Sequence, residues 1–358
     1  MTDIDPVPNP DGGIPHKRRL RYRGTHPRGF GEKYKELNPE QYQADMQKVI
    51  DRGQTPAGTH RPICVPEILK ILNPKPGEIG LDVTLGFGGH AREILPRLTP
   101  EGRLFGIDVD PLELPRTETR LRALGFTEKE LVVHRMNFAG LCKLLPEAGG
   151  GFDFILADLG VSSMQIDNPT RGFSFKAEGP LDLRLNPEHG QSAAALLKTI
   201  TLKDLVLILE NHSDEPHALA IANVVMARQG QIHTTRNLFD AVHLALKSLP
   251  KVIRDDEITS SLQRTFQALR IAVNDEFGAL DRLLTLIPDC LKPGGRVAIL
   301  SFHSGEDRRV KKSFQSFERE GIYSRVAEDP IRATSEERYS NPRSSSAKLR
   351  WAIRGTHD

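Results

Sequence analysis

The chain has 358 residues, 38% of them hydrophobic and 27% charged, which is enough to bury a full core and a second lobe. Its formal net charge of +2 excludes binding of nucleic acid through a strong overall field, so any such affinity must come from local clusters. No apolar stretch approaches the roughly 20 residues of a membrane span, and the N-terminal region holds no secretory apolar core. We expect a soluble, cytoplasmic protein with no membrane contact.

Residues 1–59 are rich in proline, glycine and charge, with one helix-like segment at 39–52, and predict a flexible extension without its own core. A basic cluster lies within it, formed by Lys17, Arg18, Arg19, Arg21, Arg23 and Arg28 and interleaved with Tyr22 and His26. That composition suits phosphate contacts and base stacking, and it also suits a solvated tail. The sequence leaves both interpretations open.

From about residue 60 the pattern alternates between strands and helices. We predict strands at 79–84, 103–108, 131–136 and 152–158, and helices at 66–72, 91–98 and 112–124. Strands separated by helices predict an α/β fold, with an open, doubly wound parallel sheet covered by helices on both faces. Residues 60–165 and 263–358 would form this domain.

The alternation stops between residues 166 and 262. Helical periodicity there predicts a helical insertion, with helices at 193–198, 202–211, 216–228 and 237–248. The sheet domain would resume with one helix at 262–287, a turn at 292–295, and strands at 296–301 and 348–353. On the resuming helix, Arg264, Gln267 and Asn274 lie away from the apolar stripe.

A glycine-rich loop, Asp82-Val-Thr-Leu-Gly-Phe-Gly-Gly-His90, follows the first predicted strand. Gly86, Gly88 and Gly89 would let the backbone approach a cofactor closely. The loop lacks the lysine of a phosphate-binding P-loop and fits the dinucleotide spacing poorly. A nucleoside-like ligand is therefore favoured.

Side chains suited to such a ligand end the next three strands. Asp108 closes the second strand, where doubly wound nucleotide folds place an acid on ribose hydroxyls. Phe138 follows the third strand and Asp158 ends the fourth. Since no phosphate-binding chemistry is evident, this set favours S-adenosylmethionine over NAD. The neighbouring Asp110 is interpreted as a helix cap.

The stretch Asp158-Leu-Gly-Val-Ser-Ser-Met-Gln165 collects acceptors and donors within one turn, among them Ser162 and Ser163. We interpret it as the place where a methyl donor meets a nucleic-acid base. A strand-end turn without such a role would use the same residue types. No metal is needed for this chemistry, and Cys64, Cys142 and Cys290 lack the paired spacing of a zinc site or a disulfide framework, so we expect three core residues and no metal.

Further motifs keep a fixed order along the chain: Arg171–Phe175, Gly179–Arg184, Gly190–Ala193, Arg264–Ile271, Leu291–Arg296, Ser301–Ser304, Glu306–Arg308 and Asn341–Arg343. With the glycine loop and Asp158–Ser163, they resemble the ribosomal RNA small subunit methyltransferase H family. The resemblance implies a Rossmann-like, class I S-adenosylmethionine-dependent methyltransferase acting on the exocyclic N4 of a cytidine in the decoding region of 16S ribosomal RNA. The substrate would be naked RNA or the small ribosomal subunit, and the insertion would help to hold it.

The same resemblance implies a set of cofactor contacts. They are Gly88, Gly89, His90, Asp108, Phe138, Asp158 and Gln165, of which His90 and Gln165 are assigned by the resemblance alone. It also favours RNA or insertion contacts for Arg264, Gln267 and Asn274.

A cytosine amino group is a poor nucleophile because its lone pair is delocalised, so the enzyme must orient it and accept a hydrogen bond from it. Asp158, or a carbonyl between Leu159 and Ser162, is the predicted acceptor. We expect Asp182 with Arg184, and His303 with Asp307, to approach the cofactor mouth. Asp182 and Arg184 as an ion pair that fixes their loop, and His303 as a strand-end cap, are the alternatives. The predicted catalytic residues are thus Asp158, Ser162, Ser163, Asp182 and His303.

Three features depart from the family: Ser213–His217 where Gly-Glu-Glu and Arg are usual, Thr259–Gln263 in place of His-Pro-Ala-Thr, and the basic extension. They leave open a paralogue that methylates another RNA site, and a non-catalytic ribosome assembly factor. The oligomeric state is undetermined, with a homodimer as one alternative.

Overall fold

The computed structural model describes residues 62–356. The helix-like segment at 39–52 and the basic cluster of the extension lie outside the described residues. None of the helices in the described part is long and apolar enough to cross a bilayer.

Seven strands form one mixed sheet. They are β1 (Ile79–Asp82), β2 (Arg103–Asp108), β3 (Leu131–Arg135), β4 (Phe152–Asp158), β5 (Leu291–Ser301), β6 (Tyr323–Val326) and β7 (Lys348–Arg354). Their order across the sheet is β3-β2-β1-β4-β5-β7-β6. The first five strands pair in parallel, whereas β7 is antiparallel to both β5 and β6. The predicted doubly wound parallel sheet is confirmed, with an antiparallel pair added at one edge.

Apolar clusters cover both faces of this sheet, because the central strands are apolar on both sides. In β4, Ile155 and Ala157 enter one cluster, while Phe154 and Leu156 enter the other, as the two-residue period of a strand requires. Helices close the two clusters: α1 (Val65–Leu72), α2 (Gly89–Leu98), α3 (Leu114–Ala123), α10 (Glu276–Cys290) and α11 (Ser304–Arg319). Short elements are the 3-10 helices Phe138–Leu144, Pro169–Arg171 and Pro342–Ser346, and the α-helices α4 (Ser163–Asp167) and α12 (Ser335–Ser340).

A third cluster belongs to the segment between β4 and α10. It is enclosed by α5 (Ala193–Thr199), α6 (Leu202–Ser213), α7 (Ala218–Ala227), α8 (Thr235–Lys247) and α9 (Asp255–Asn274). Ser192, Thr201 and Thr234 start three of these helices, because each side chain accepts a backbone N–H of the first turn. The four helices predicted in this region are present, and no strand lies between β4 and β5 in the described chain.

The resuming helix differs from the prediction. Instead of one helix at 262–287, α9 and α10 meet at Asp275, whose φ of 47° lies in the left-handed region. Aspartate tolerates this conformation better than most side chains, and Arg270 bridges the break by donating two hydrogen bonds to Glu276. The apolar stripe continues across the break, so periodicity alone gave no sign of it. The predicted turn at 292–295 is instead an irregularity within β5, where the pairing with β4 shifts register.

Candidate active site

The carboxyl ends of β1 and β4 lie side by side, because Asp82 pairs in register with Leu156. The strand order reverses between these two strands, and ligands of open α/β sheets bind at such a point. Thr84 links the two ends: its N–H donates to Asp82, and its Oγ1 accepts the N–H of Asp158 at 2.6 Å. Burial raises the pKa of Asp82 to about 6, although the nearby His90 works in the opposite direction. The sequence marked Asp82 only as the start of the glycine-rich loop and did not predict its link to Asp158 through Thr84.

The glycine loop is tied to Asp108 at the end of β2. Gly86 N–H donates to Asp108 Oδ2 and Asp110 N–H donates to Oδ1, each at 2.9 Å. Gly86 and Gly88 have positive φ values of 48° and 72°, and Gly88 directly precedes α2, which begins at Gly89. Burial raises the pKa of Asp108, although the two N–H groups favour its charged form. The structure thus brings the predicted loop and its predicted acid together.

His90 lies buried between α1 and β4. Its Nε2 is 3.0 Å from the carbonyl oxygen of Ile63, and because a carbonyl can only accept, Nε2 carries the proton. Nδ1 faces Asp158, 3.6 Å from Oδ2. Burial lowers the pKa of His90, opposed by the charge of Asp82, so a neutral ring with an unprotonated Nδ1 is favoured.

Asp158 has the environment of a proton acceptor. Burial, with a smaller contribution from the charge of Glu306, raises the pKa of Asp158 to about 7. Oδ1 is shielded from solvent and has no hydrogen-bond partner among the described residues, although 30% of the side chain is exposed. A carboxylate with a free oxygen and a pKa near neutrality can take up a proton at physiological pH.

His303 lies next to Glu306 at the start of α11. Its Nε2 lies 3.2 Å from Glu306 Oε1, and its ring packs near Phe277. Burial works against the charge of Glu306, but the neighbouring His303 and the backbone N–H of Phe302 lower the pKa of the Glu306 carboxyl. Glu306 is therefore ionised, and its negative charge contributes to the raised pKa of Asp158. His303 also directly precedes α11, but its side chain makes no capping hydrogen bond.

Ser162 and Gln165 form a capping box at the start of α4. Ser162 Oγ accepts the N–H of Gln165, and Gln165 Oε1 accepts the N–H of Ser162 at 2.9 Å. Ser163 is the buried first residue of the helix. The Ser162 hydroxyl thus organises the turn that follows Asp158, and Gln165 turns its amide nitrogen to Asp110 Oδ2 at 2.8 Å.

Asp182 and Arg184 form a two-pronged ion pair at the entry of the insertion. Arg184 Nε and NH2 donate to the two carboxylate oxygens at 2.8 and 2.7 Å. Although burial works against the charge, these hydrogen bonds lower the pKa of Asp182. The pair fixes its own loop, the alternative left open above. Asp307 lies away from the mouth in its contacts, since it pairs with Lys348 and Arg350 of β7.

Phe138 opens the 3-10 helix after β3 and packs against the core cluster below it. It follows Asn137, whose side chain caps this short helix. Its position next to the end of β2 follows from the parallel pairing of β2 with β3, which extends to Asp108.

The polar side of α9 contacts the insertion. Arg264 donates to Glu215, Gln267 to the carbonyl of His212, and Asn274 to the carbonyl of Leu183. For these three side chains we expected contacts with RNA or with the insertion. The structure shows contacts with the insertion.

The cysteines are free, and two of them are neighbours. Cys142 and Cys290 bring their sulfur atoms within 3.2 Å across a separation of 148 residues, which sequence spacing could not reveal. Cys64 Sγ and carboxylate oxygens of Glu67 and Glu337 lie within 4.8 Å of one another. Within residues 62–356, these three side chains form the group that could hold a metal ion. Burial, followed by the nearby Glu337, raises the pKa of the Cys64 thiol to about 12, which favours its neutral form.

The donor set fits S-adenosylmethionine. Asp108 presents a carboxylate held by the glycine loop, as ribose hydroxyls require. Asp158 ends β4, on the other side of β1, and its Oδ1 has no hydrogen-bond partner among the described residues. Five parallel strands, an antiparallel edge pair and this site at the switch point define a class I S-adenosylmethionine-dependent methyltransferase.

The chain belongs to the MraW methylase family, whose model matches residues 57–354. A protein of Alkaliphilus metalliredigens named ribosomal RNA small subunit methyltransferase H 2 is 55% identical over 94% of this chain and 97% of its own length. A protein of Lachnoclostridium phytofermentans named ribosomal RNA small subunit methyltransferase H 1 is 53% identical over 95% of this chain and 93% of its own. The part of this chain that each match leaves out is shorter than the extension of residues 1–59. Both matches therefore include part of the extension. A protein of Heliobacterium modesticaldum, named ribosomal RNA small subunit methyltransferase H, is 36% identical over 82% of this chain and 97% of its own length.

Proposed function

We propose that this protein methylates the exocyclic N4 of a cytidine in the decoding region of 16S ribosomal RNA, with S-adenosylmethionine as methyl donor and in the cytoplasm. The names of the relatives support ribosomal RNA of the small subunit as the substrate. The observation that carries the proposal is Asp158, a carboxylate with a pKa of about 7 and an unpartnered oxygen at the end of β4.

The chemistry requires an acceptor for the amino hydrogen. The bound cofactor would supply an electrophilic methyl group, with Asp108 and the glycine loop as its holders. The carboxylate of Asp158, whose side chain is 30% exposed, would accept a hydrogen bond from the cytosine amino group, which restores nucleophilic character to the nitrogen and fixes its direction. After transfer, Asp158 would take up the proton that leaves the nitrogen.

Exposed basic side chains on α11 support an RNA substrate. Lys311 and Lys312 are exposed on α11, the helix whose first turn carries Glu306. Cations on one helix can contact successive phosphates of a strand that enters the site. The polar contacts between α9 and the insertion would hold the insertion in place beside it.

Methyl transfer from radiolabelled S-adenosylmethionine tests the proposal. The purified protein should label small ribosomal subunits or 16S RNA from a strain without the gene, and digestion should yield N4-methylcytidine. Label in another nucleoside would indicate a different target, and no label in either substrate would favour a non-catalytic role in ribosome assembly.

A further inference from the structure

One buried carboxylate joins the segments that surround the site. Asp110 is 1% exposed, and its Oδ2 accepts hydrogen bonds from Gln165 Nε2 at 2.8 Å and from Arg171 NH1 at 2.9 Å. Its Oδ1 accepts the backbone N–H groups of Leu112 and Glu113 at 2.9 and 3.3 Å. Asp110 is not the N-cap of α3, which is Glu113; its side chain instead binds the turn that precedes this helix.

Each partner leads to a different part of the site. Gln165 closes the capping box that ends the turn after Asp158. Arg171 is 6% exposed, and its NH2 donates to the carbonyl oxygens of Arg184 at 3.1 Å and Leu185 at 2.8 Å. The backbone N–H of Asp110 binds Asp108 Oδ1. One residue thus connects the cofactor acid, the acceptor turn and the entry loop of the insertion.

Because this network is buried, each of its charged groups needs a partner. A buried charge without its partner is strongly unfavourable, so Asp110 and Arg171 must stay paired. Arg171 presents a rigid fork, which binds the carboxylate with one nitrogen and the carbonyl oxygens of Arg184 and Leu185 with the other. Such a network fixes one geometry more than it adds stability.

We propose that Asp110 is a positioning residue for methyl transfer. Through Gln165 it holds the turn that carries Asp158, and through Arg171 it holds the loop of Asp182 and Arg184, both relative to Asp108. The identity of the acceptor nucleotide in this inference rests on the proposed function.

The variant Asp110→Asn keeps the hydrogen bonds of Oδ1 and breaks those of Oδ2. Its oxygen can still accept the N–H groups of Leu112 and Glu113, while its amide nitrogen would face two donors, Gln165 and Arg171. We expect kcat to fall about 30-fold, since displacement of reacting groups by about an ångström costs up to two orders of magnitude. The Kd for S-adenosylmethionine should rise by a smaller factor than kcat falls, because Asp108 is bound by the backbone of residue 110 and only Gln165, among the implied cofactor contacts, loses a bond to the changed side chain.

Asp153→Asn is the matched control. Asp153 also accepts a backbone N–H, from Ile79, and a charged donor, Lys292 Nζ, but it lies at the opposite end of β4. This variant should lose thermal stability and keep kcat. The inference is overturned if Asp110→Asn lowers kcat no more than Asp153→Asn does.

A double variant separates positioning from stability. Asp110→Asn with Arg171→Met removes both buried charges, so thermal stability should recover relative to Asp110→Asn alone. We expect kcat to remain low, because neither loop regains its anchor. Joint recovery of kcat and stability would show that Asp110 matters only for folding.

Hydrogen–deuterium exchange gives a readout that needs no RNA. Amides of residues 158–167 and 182–186 should exchange faster in Asp110→Asn than in the wild type, and should be unchanged in Asp153→Asn. Unchanged exchange in Asp110→Asn would overturn the inference. If the wild type fails to produce N4-methylcytidine, the proposed function fails, whereas the exchange result still decides the role of Asp110.

Discussion

Asp158 illustrates how burial, aided by the charge of Glu306, can prepare a side chain for chemistry. Its pKa of about 7 lies above the ordinary 3.8, so the folded chain binds this proton more tightly than the unfolded chain between these values. The stabilising effect is complete below about pH 4 and is lost as the pH rises through about 7. The ionised form that catalysis needs is therefore the less stable one.

The variant Asp158→Asn should lose methyl transfer activity and gain stability. At pH 8 we expect methyl transfer to fall by about 100-fold or more, since no general base remains. The free energy of unfolding should rise by about 1 kcal/mol or more at the same pH, because a desolvated charge is removed. Thermal unfolding at pH 8 and pH 5, with initial rates, checks both; the stability gain should shrink at pH 5. An unchanged rate would contradict the role of Asp158.

The wild-type rate should itself rise through about pH 7, and Glu306→Gln should move this rise to lower pH by removing a neighbouring negative charge. Asp307→Asn is the control, since Asp307 pairs with Lys348 and Arg350 instead. A profile that does not respond to Glu306→Gln would assign the rise to another group.

Asp108→Ala tests the cofactor end of the site. Loss of charge-assisted hydrogen bonds to ribose hydroxyls should weaken S-adenosylmethionine binding by about 1.5 to 3 kcal/mol. Calorimetric titration measures this directly, with Asp153→Asn as the control for a lost carboxylate elsewhere in the domain. Wild-type affinity in Asp108→Ala would place the ribose elsewhere.

At this scale, strand ends made Asp108, Phe138 and Asp158 predictable, because parallel strands deliver their carboxyl ends to one edge. His90 and Gln165 came from family resemblance. The link from Asp110 to Arg171 was not predictable, since the two are 61 residues apart and meet only through folding.

Among the elements, strands and helices with a sustained apolar period were predictable. Two elements had no clear signal: α11 is largely polar, with Val310 and Phe314 as its buried apolar side chains, and β6 spans only four residues. The break at Asp275 was hidden because α9 and α10 share one apolar stripe. Since α9 packs into the cluster of the insertion, we propose that the insertion extends to Asn274 and not to residue 262.

Glu215→Gln tests the segment that departs from the family pattern. Glu215 is buried and accepts hydrogen bonds from Ser261, from Arg264 and from the N–H of His217. Loss of its charge should destabilise the insertion by about 1 to 3 kcal/mol, because Arg264 loses its partner. Denaturant unfolding measures the change, with the more exposed Glu257→Gln as the control.

The same variant should raise the KM for RNA and leave the affinity for S-adenosylmethionine unchanged, because Glu215 accepts hydrogen bonds from His217, Ser261 and Arg264, which lie away from the glycine loop in the chain. A parallel loss of cofactor affinity would contradict this division of labour between the two parts of the chain.

For the whole molecule, the net charge of +2 directs attention to the basic extension. Deleting residues 1–59 should lower RNA affinity and flatten its dependence on salt. A protein that contacts fewer phosphates releases fewer counterions when it binds. Binding titrations at several salt concentrations measure the slope. Replacement of the six basic residues by glutamine in the full chain is the control; an unchanged slope in both would make the extension a tail without RNA contacts.

The proposed activity is one modification on one RNA. It is tested most directly by nucleoside mass spectrometry of 16S RNA from cells with the gene, without it, and with Asp158→Asn in its place. We predict that N4-methylcytidine in the decoding region is present only with the wild-type gene. The same level of this nucleoside in all three strains would contradict the account.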